Sequence, residues 1–307
     1  MFSVLLLAGS HCSSYEPGKA QTPRVALVMK TLNNPFFIDM LKGAKEAAER
    51  LNVHLVVQAA ETELDTEKQM QIIENLIQTQ VDVLCITPSG SREIVPAVVK
   101  ANQAGIPVLI VDTRLDPDAV KEAGAEIEGF IGCDNYEGGR IAAQFIDKLM
   151  NSQARIVVLE GISGHETGDE RLRGFNDVIS EIPGLKVVAS QTANWQRDQG
   201  FNVFQNILQA HREIDVLFAS NDLMALGALE AIAIAGRGPQ IKVVGFDALD
   251  EVKKAIKKGA IEASVEQHPE EMGRLAVENA VMILEGKDIP DEIPVAIELI
   301  TRENLER

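Results

Sequence analysis

The sequence predicts an α/β protein built as two doubly wound parallel-sheet domains, and three observations carry that expectation. Short apolar runs alternate with longer stretches whose apolar residues recur every three or four positions, the pattern of buried strands between amphipathic helices. A polar interval at 114–128 interrupts the alternation, which then begins again with the same order of elements. Finally, 307 residues with 46% hydrophobic content suffice for two cores of ordinary size. Alternation at this spacing implies right-handed crossovers and sheets covered by helices on both faces.

The first run, 25–29, has almost no polar interruption, as suits a strand buried on both faces of a parallel sheet. Leu32-Asn33-Asn34-Pro35 then supplies Asn residues that tolerate a tight turn and a Pro fitted to the start of a helix. Along that helix Phe37, Leu41, Ala44, Ala48 and Leu51 form one apolar face, from which Phe36 departs. Both rings can be read as core residues or as contacts at the mouth of a strand-to-helix loop, where open parallel sheets bind ligands.

A second strand is expected at 53–57, followed by a helix that Asp65 caps and that carries Met70, Ile73 and Ile77. The third strand, 83–86, ends at Pro88. Ile94, Val95, Val98 and Val99 mark another helix, which Gly105 stops ahead of the strand 106–111. Beyond the polar interval, strands are expected at 130–132, 155–159, 185–189, 216–219 and 241–245. Helices are expected between them at 138–150, 169–180, 197–210 and 222–235. The tail adds a helix at 250–257, a strand at 261–265, a long helix at 269–284 and an extended stretch at 293–300. The halves share an order of elements, with no repeat visible in the sequence itself.

The formal net charge of −17 and a pI near 4.8 argue against a nucleic-acid surface, an anionic membrane or an acidic substrate. Residues 1–23 read as a trimmed export signal and tether: an apolar run at 2–8, small residues, Cys12, then a polar segment. The basic start and longer apolar core of a secretory signal are missing. Leu7-Ala8-Gly9 ahead of a Cys resembles a bacterial lipoprotein signal although Ser10-His11 intrude, which leaves a lipid anchor at Cys12 open. Export to the periplasm or the cell surface is the expectation. No stretch approaches the ~20 apolar residues of a transmembrane helix. Cys85, inside an apolar run, reads as a small core residue, and neither it nor Cys133 belongs to a Cys-x-x-Cys pair.

Polar residues cluster where the expected strands end. Asn34 follows the first strand, Asp112, Thr113 and Arg114 follow 106–111, Asn221-Asp222 follow 216–219, and Asp247 follows 241–245. Gln267 comes after 261–265, and the loop beyond 185–189 leads to Trp195, the chain's single Trp. Arg171 and Arg173 stand just inside the helix after Gly161–Gly168. Amides, carboxylates and flat rings suit a neutral polyhydroxyl ligand, hydrogen bonding to its hydroxyls and covering its C–H faces. Each residue also has an ordinary reading: Asp222 as a helix cap, Asp112 and Asp247 as turn residues, Arg173 as a solvated helix residue.

Catalytic and cofactor motifs are missing. No phosphate-binding loop, G-x-G-x-x-G turn or G-x-S-x-G elbow occurs; Gly161, Gly164 and Gly168 have the wrong spacing, and His165-Glu166 lacks a second His. Five scattered His form no metal cluster, so no catalytic residue, metal or cofactor is expected.

With these residues in view, the chain resembles the bacterial ribose-binding protein family, the periplasmic sugar-binding proteins of ABC importers with the type I periplasmic binding protein fold. The likeness runs from Arg24 to the end, carried by TLNNPFF at 31–37, ANQAGIPV at 101–108, NDLMALGAL at 221–229 and VVGFD at 243–247. It implies two doubly wound domains joined by a three-segment hinge and closing over one sugar, with crossings near Cys133, Gln267 and Ala296. The N-terminal sugar-binding domain is then 24–132 plus 268–296, and the C-terminal one 133–267 plus 297–307. The implied sugar contacts are Asn34, Phe36, Phe37 and Asp112 from the first domain, and Arg171, Trp195, Asn221 and Asp247 from the second, with Gln267 at a crossing.

Two departures stand out. The family often has Phe where Trp195 stands. Its ribose binders place an Arg directly after the Asp that matches Asp112, whereas here Thr113 intervenes: either Arg114 swings into the pocket, or the pocket has lost a donor. The ligand class implied is therefore a neutral monosaccharide or polyol rather than ribose in particular. Implied partners are an ABC permease and, as an open addition, a chemoreceptor, with the chain a monomer. The competing reading is the ligand-sensing core of a lactose-repressor-type transcription regulator lacking its DNA-binding domain. It would need a helix-turn-helix, and the apolar-then-polar stretch before Arg24, with its one Lys, supplies none.

Overall fold

The computed structural model describes residues 22–305; the expected leader, with Cys12, and residues 306–307 lie outside them. The chain opens with β1 (Arg24–Thr31), α1 (Pro35–Leu51), β2 (His54–Ala60), α2 (Thr66–Gln78), β3 (Val83–Ile86), α3 (Val95–Gln103), β4 (Val108–Val111), α4 (Pro117–Ala123) and β5 (Gly129–Gly132). A second series follows: α5 (Asn135–Met150), β6 (Ala154–Glu160), α6 (Glu166–Ser180), β7 (Leu185–Thr192), α7 (Arg197–Ala210), β8 (Val216–Ala219), α8 (Asp222–Ile234), β9 (Lys242–Asp247), α9 (Asp250–Lys258) and β10 (Ala263–Glu266). It closes with α10 (Pro269–Leu284), β11 (Glu292–Pro294), β12 (Glu298–Thr301) and α11 (Arg302–Leu305).

These strands make two six-stranded sheets, ordered β11-β5-β4-β3-β1-β2 and β12-β10-β9-β8-β6-β7. Neighbours run parallel except at one edge, where β12 is antiparallel to β10. In each sheet the order reverses beside the first strand, β1 lying between β2 and β3, and β6 between β7 and β8. Loops leaving the carboxyl ends diverge at that point and open a crevice.

Period-two alternation divides each strand between two cores. Val25, Leu27 and Met29 face the cluster containing α1 and α10, while Ala26 and Val28 face the one containing α2 and α3. In the second sheet Val157 and Leu159 face α7 and α8, and Ile156 and Val158 face α5 and α6. Helices on the sheets pair closely because glycines remove the side chain at their crossings. A Cβ on Gly139 of α5 would overlap the Arg171 carbonyl of α6, and one on Gly174 of α6 would overlap the Tyr136 carbonyl of α5. This seating brings α6 close enough for Arg171 to reach the crevice. Gly43 and Gly273 do the same for α1 and α10, so α10 packs on α1 and the first sheet although it follows β10.

The chain passes between the sheets after β5, after β10 and between β11 and β12. The second passage turns on His268, a non-glycine residue at φ 52°. Together the two doubly wound sheets and three connections give the two-domain architecture that the sequence predicts.

Four local expectations change. The polar interval holds α4, capped by Asp116 Oδ1 accepting from the Ala119 amide at 2.8 Å and ended by Gly124 at φ 65°. It buries no residue, so no apolar periodicity marks it. The stretch 293–300 divides between the sheets, β11 pairing with β5 and β12 with β10. Asp65 does not cap α2; its carboxylate accepts instead from the Thr62 amide at 3.0 Å. Along α1 the buried set is Phe36, Phe37, Met40, Gly43, Ala44, Ala47 and Ala48, with the expected Leu41 and Leu51 half-buried at its edge, because α10 and the sheet cover the helix from two sides.

Candidate functional site

A cavity lies between the carboxyl ends of the two sheets. It is lined by all nine residues expected as sugar contacts, Asn34, Phe36, Phe37, Asp112, Arg171, Trp195, Asn221, Asp247 and Gln267, and in addition by Lys30, Glu63 and Thr167. The two halves are in contact around it: Leu223 and Leu249 from the second series pack on the apolar cluster of Phe36 and Phe37, and the Glu166 amide donates to Ser91 Oγ at 3.2 Å.

On the first side Asn34 is the N-cap of α1, its Oδ1 accepting from the Phe36 amide at 3.1 Å and its Nδ2 donating to Glu63 at 3.1 Å. That cap fixes the entry of the helix and so the two rings behind it. Phe36 and Phe37 meet edge to face, centroids 5.2 Å apart, and belong to the core while lining the cavity, so neither reading of them excludes the other. Asp112 follows β4 in the left-handed region at φ 67°, which turns its carboxylate back to Lys30 Nζ at 3.1 Å and to the Thr113 hydroxyl at 2.9 Å. Lys30 Nζ also donates to Thr113 Oγ1 at 2.6 Å. Its side chain is 3% exposed, a buried cation paired as burial requires.

On the second side Arg171 sits over the Phe246 ring at 3.8 Å and spends its N–H groups on Asn135 Oδ1, the Ser220 carbonyl and Gln267 Oε1, at 2.8, 2.8 and 3.0 Å. Asp247 lies 3.8 Å from the Arg171 guanidinium and accepts from Gln267 Nε2 at 2.6 Å. Asn221 caps α8, accepting from the Met224 amide at 2.9 Å, and its Nδ2 donates to the Trp195 carbonyl at 3.2 Å. Asp222, expected as a cap candidate, is thus relieved of that role. The Trp195 ring occupies space left by Gly161 and Gly168, where side chains would crowd it. Its buried indole N–H has no protein partner among the described residues. That is why those glycines are present without forming a phosphate loop.

Two cations face three carboxylates in the cavity. Burial pushes Glu63 above its ordinary value, with Lys30 and the Asn34 amide opposing. Burial likewise raises Asp247 from 3.8 to about 7, against the pull of Arg171 and Gln267. The lining is therefore close to neutral and dense in both donors and acceptors, matched to hydroxyl groups rather than to an ion.

Arg114 is the correction. It does not enter the cavity: its guanidinium grips Glu292 through two bonds of 2.6 and 2.7 Å and stacks on Phe130 at 3.8 Å. The cation beside Asp112 is Lys30 instead, supplied by β1. The signal that could have found it is a charge inside the apolar strand 24–31, since a buried Lys must have a partner. Glu63, in a loop rich in acids, and Thr167 carry no comparable signal.

At one flank of the hinge Glu266, His268 and Glu298 bring ligand atoms within 4.8 Å of one another. Lys253 already neutralises Glu266 at 2.6 Å, so the group reads as an ion-pair cluster rather than a metal centre.

Among protein families, the periplasmic binding protein domain matches residues 25–288. The D-ribose/D-allose-binding protein of Pseudomonas aeruginosa is 35% identical over 304 residues, 94% of each chain. The ribose import binding protein of Escherichia coli is 37% identical over 279 residues, 91% of this chain and 90% of that one. A crystal structure of an ABC transporter periplasmic solute binding protein from Actinobacillus succinogenes with bound D-allose superposes with a TM-score of 0.88 at 35% identity, covering 93% of this chain and 99% of the other. These relatives are named as sugar-binding, ribose import and ABC transporter solute-binding proteins, which supports the solute-binding role and not the regulator alternative. The chain belongs to the periplasmic binding protein family, among the ribose-like sugar-binding proteins that serve ABC importers.

Proposed function

We propose that the protein captures one neutral monosaccharide or polyol between its two domains and hands it to an ABC permease, with D-ribose and D-allose, the sugars named for its relatives, as the first candidates. The observation that carries this is the cavity at the sheet switch points, lined by rings, amides and near-balanced charges drawn from both sheets. Phe36, Phe37 and Trp195 cover C–H faces. Asp112, Asp247 and Glu63 accept from hydroxyls, and Lys30, Arg171 and the Trp195 indole donate to them. Asn34, Asn221 and Gln267 orient these groups.

In this reading 24–132 with 268–296 forms one sugar-binding domain and 133–267 with 297–307 the other; the support for the division is that β1–β5 and β11 share one sheet and β6–β10 and β12 the other. Sugar held by both sides favours the closed arrangement, and the permease distinguishes closed from open protein by shape. The protein acts in the periplasm as a monomer, and the same closed shape would serve docking to a chemoreceptor. Melting temperatures against pentoses, hexoses and polyols, with nucleotides and amino acids as controls, test the reading: ligand bound only by folded protein raises the midpoint. One neutral sugar is expected to raise it by several degrees. Asp247→Ala is expected to abolish that rise and leave a cooperative transition, and an unchanged rise in the variant refutes the site.

A further inference from the structure

We infer that Asp222 is a positioning residue for the sugar: through Ser264 and the Leu249 amide it fixes the backbone that aims the Asp247 carboxylate into the cavity. The inference rests on the reading of Asp247 as a sugar contact.

Asp222 is fully buried at the start of α8, yet Asn221 already caps that helix. Its carboxyl group points away from its own helix to the segment after β9. Oδ2 accepts from the Leu249 amide at 2.7 Å, and Oδ1 accepts from Ser264 Oγ at 2.7 Å. Ser264 Oγ accepts in turn from the Ala248 amide at 3.0 Å. Both amides that follow Asp247 therefore end on one carboxyl group, directly or through one hydroxyl. The backbone so held is unusual: Asp247 lies at φ 113° and Ala248 at φ 51°, two successive non-glycine residues in a region that side chains disfavour. Such a conformation persists only where its surroundings impose it, and the carboxylate it directs lines the cavity. The sheet makes room for the clamp, since a Cβ on Gly245 would overlap Asp222 Oδ1.

Among the described residues Asp222 forms no ion pair with a cation. Burial, then the Asp247 carboxylate, pushes its own carboxyl well above the usual range. Arg171, Glu63 and Asp112 are the other charged groups that act on Asp247. An amide matches the carboxyl group in shape: its oxygen can accept from the Leu249 amide, and its N–H can donate to Ser264 Oγ once that hydroxyl turns. Asp222→Asn should keep the clamp, and Asp222→Ala should lose it.

Hydrogen exchange of sugar-free protein reads the clamp alone. The Ala248 and Leu249 amides are expected to be protected in wild type and Asp222→Asn, and to exchange about tenfold faster or more in Asp222→Ala. Calorimetry with D-allose and with D-ribose reads its consequence: Asp222→Ala should bind about tenfold more weakly, and Asp222→Asn within about threefold of wild type. Adding Asp222→Ala to Asp247→Asn should cost no more than about a further twofold, because the first acts through the second. Ser264→Ala, which cuts one link only, serves if Asp222→Ala does not fold, with the Ala248 amide as its readout.

Equal protection in Asp222→Ala, an amide variant as weak as the alanine one, or losses that multiply in the double variant would each overturn the inference. Wild type that binds no sugar of the panel would remove the proposed function, and the exchange measurement would still decide the clamp.

Discussion

The two sides of the cavity solve the same problem differently. Each presents a carboxylate at the end of a parallel strand, on a residue with positive φ: Asp112 after β4 and Asp247 at the end of β9. On the first side the charge is met by a cation, Lys30 Nζ at 3.1 Å, with the Thr113 hydroxyl bonding both. On the second side the nearest cation stands off at 3.8 Å, an amide donates at 2.6 Å, and a second buried carboxyl lies behind. Asp112 is met by a counter-ion, whereas Asp247, like Glu63 on the first side, is raised chiefly by burial. The repeated architecture sets where a carboxylate is presented; the residues behind it set what it pairs with.

Removing Lys30 should break the comparison most severely. Lys30→Met leaves Asp112 buried without its cation, and loss of one member of a buried pair costs about 3 to 5 kcal/mol. Urea unfolding should register that loss, and sugar affinity should fall by more than a hundredfold. A variant with wild-type stability and affinity would mean that Asp112 is balanced from elsewhere.

Asp247 should carry much of the pH dependence, with the raised Glu63 of the first side acting in the same direction. Folded Asp247 holds its proton up to about 7 against 3.8 unfolded, so its contribution to stability is complete below the lower value and declines as pH rises through the upper one. Burial raises Asp222 in the same direction. Between pH 5 and pH 8 the sugar-free protein should therefore lose melting temperature, and Asp247→Asn should flatten that slope. An equal slope in the variant would move the titration to another group, with Glu166, raised to about 7 mainly by burial, the next to replace.

A smaller effect is expected at Trp195. Trp195→Phe keeps a ring between Gly161 and Gly168 and deletes only the indole N–H, which no protein group accepts among the described residues. A hydrogen bond to a ligand hydroxyl would be lost, worth about 1 kcal/mol, or about fivefold in affinity. As the chain's one Trp, it should also report binding in wild type by a change in fluorescence. No loss of affinity would leave the ring as its whole contribution.

How much of this could be read from the sequence follows from what each signal measures. Apolar runs measure burial, so β3, β8 and α10 are legible to the residue while α4, which buries nothing, is invisible. Strand ends measure position, which is why Asn34, Asp112, Asn221 and Asp247 could be named as candidates before any geometry. Neither measures direction. Lys30 lies within the strand, and only the fold discloses that its amine reaches Asp112, 82 positions on. Glu63 looks like any solvated acid until the Asn34 amide is found on it. The positive φ at 247 and 248, and the carboxyl that holds it, leave no trace in composition or period.

Arg114 shows the same limit from the other side, and its removal should have the smallest effect. It follows Asp112 by two positions and looked like the missing donor, but Asp112 at φ 67° reverses the chain, and Thr113 turns in while Arg114 turns out. Its partner Glu292 is 178 positions away, on β11, and the pair sits on a partly exposed rim. An exposed ion pair contributes about 0.2 to 1 kcal/mol and the contact with Phe130 a similar amount. Arg114→Ala should thus lower stability by about 1 kcal/mol. Across the crevice Glu166 lies 3.8 Å away, too far for more than a modest bias toward closure, so sugar affinity should change by no more than about threefold and the change should fade as salt is added. A loss beyond tenfold that persists in high salt would return Arg114 to the sugar contacts. The first side would then hold two donors where Lys30 now stands alone.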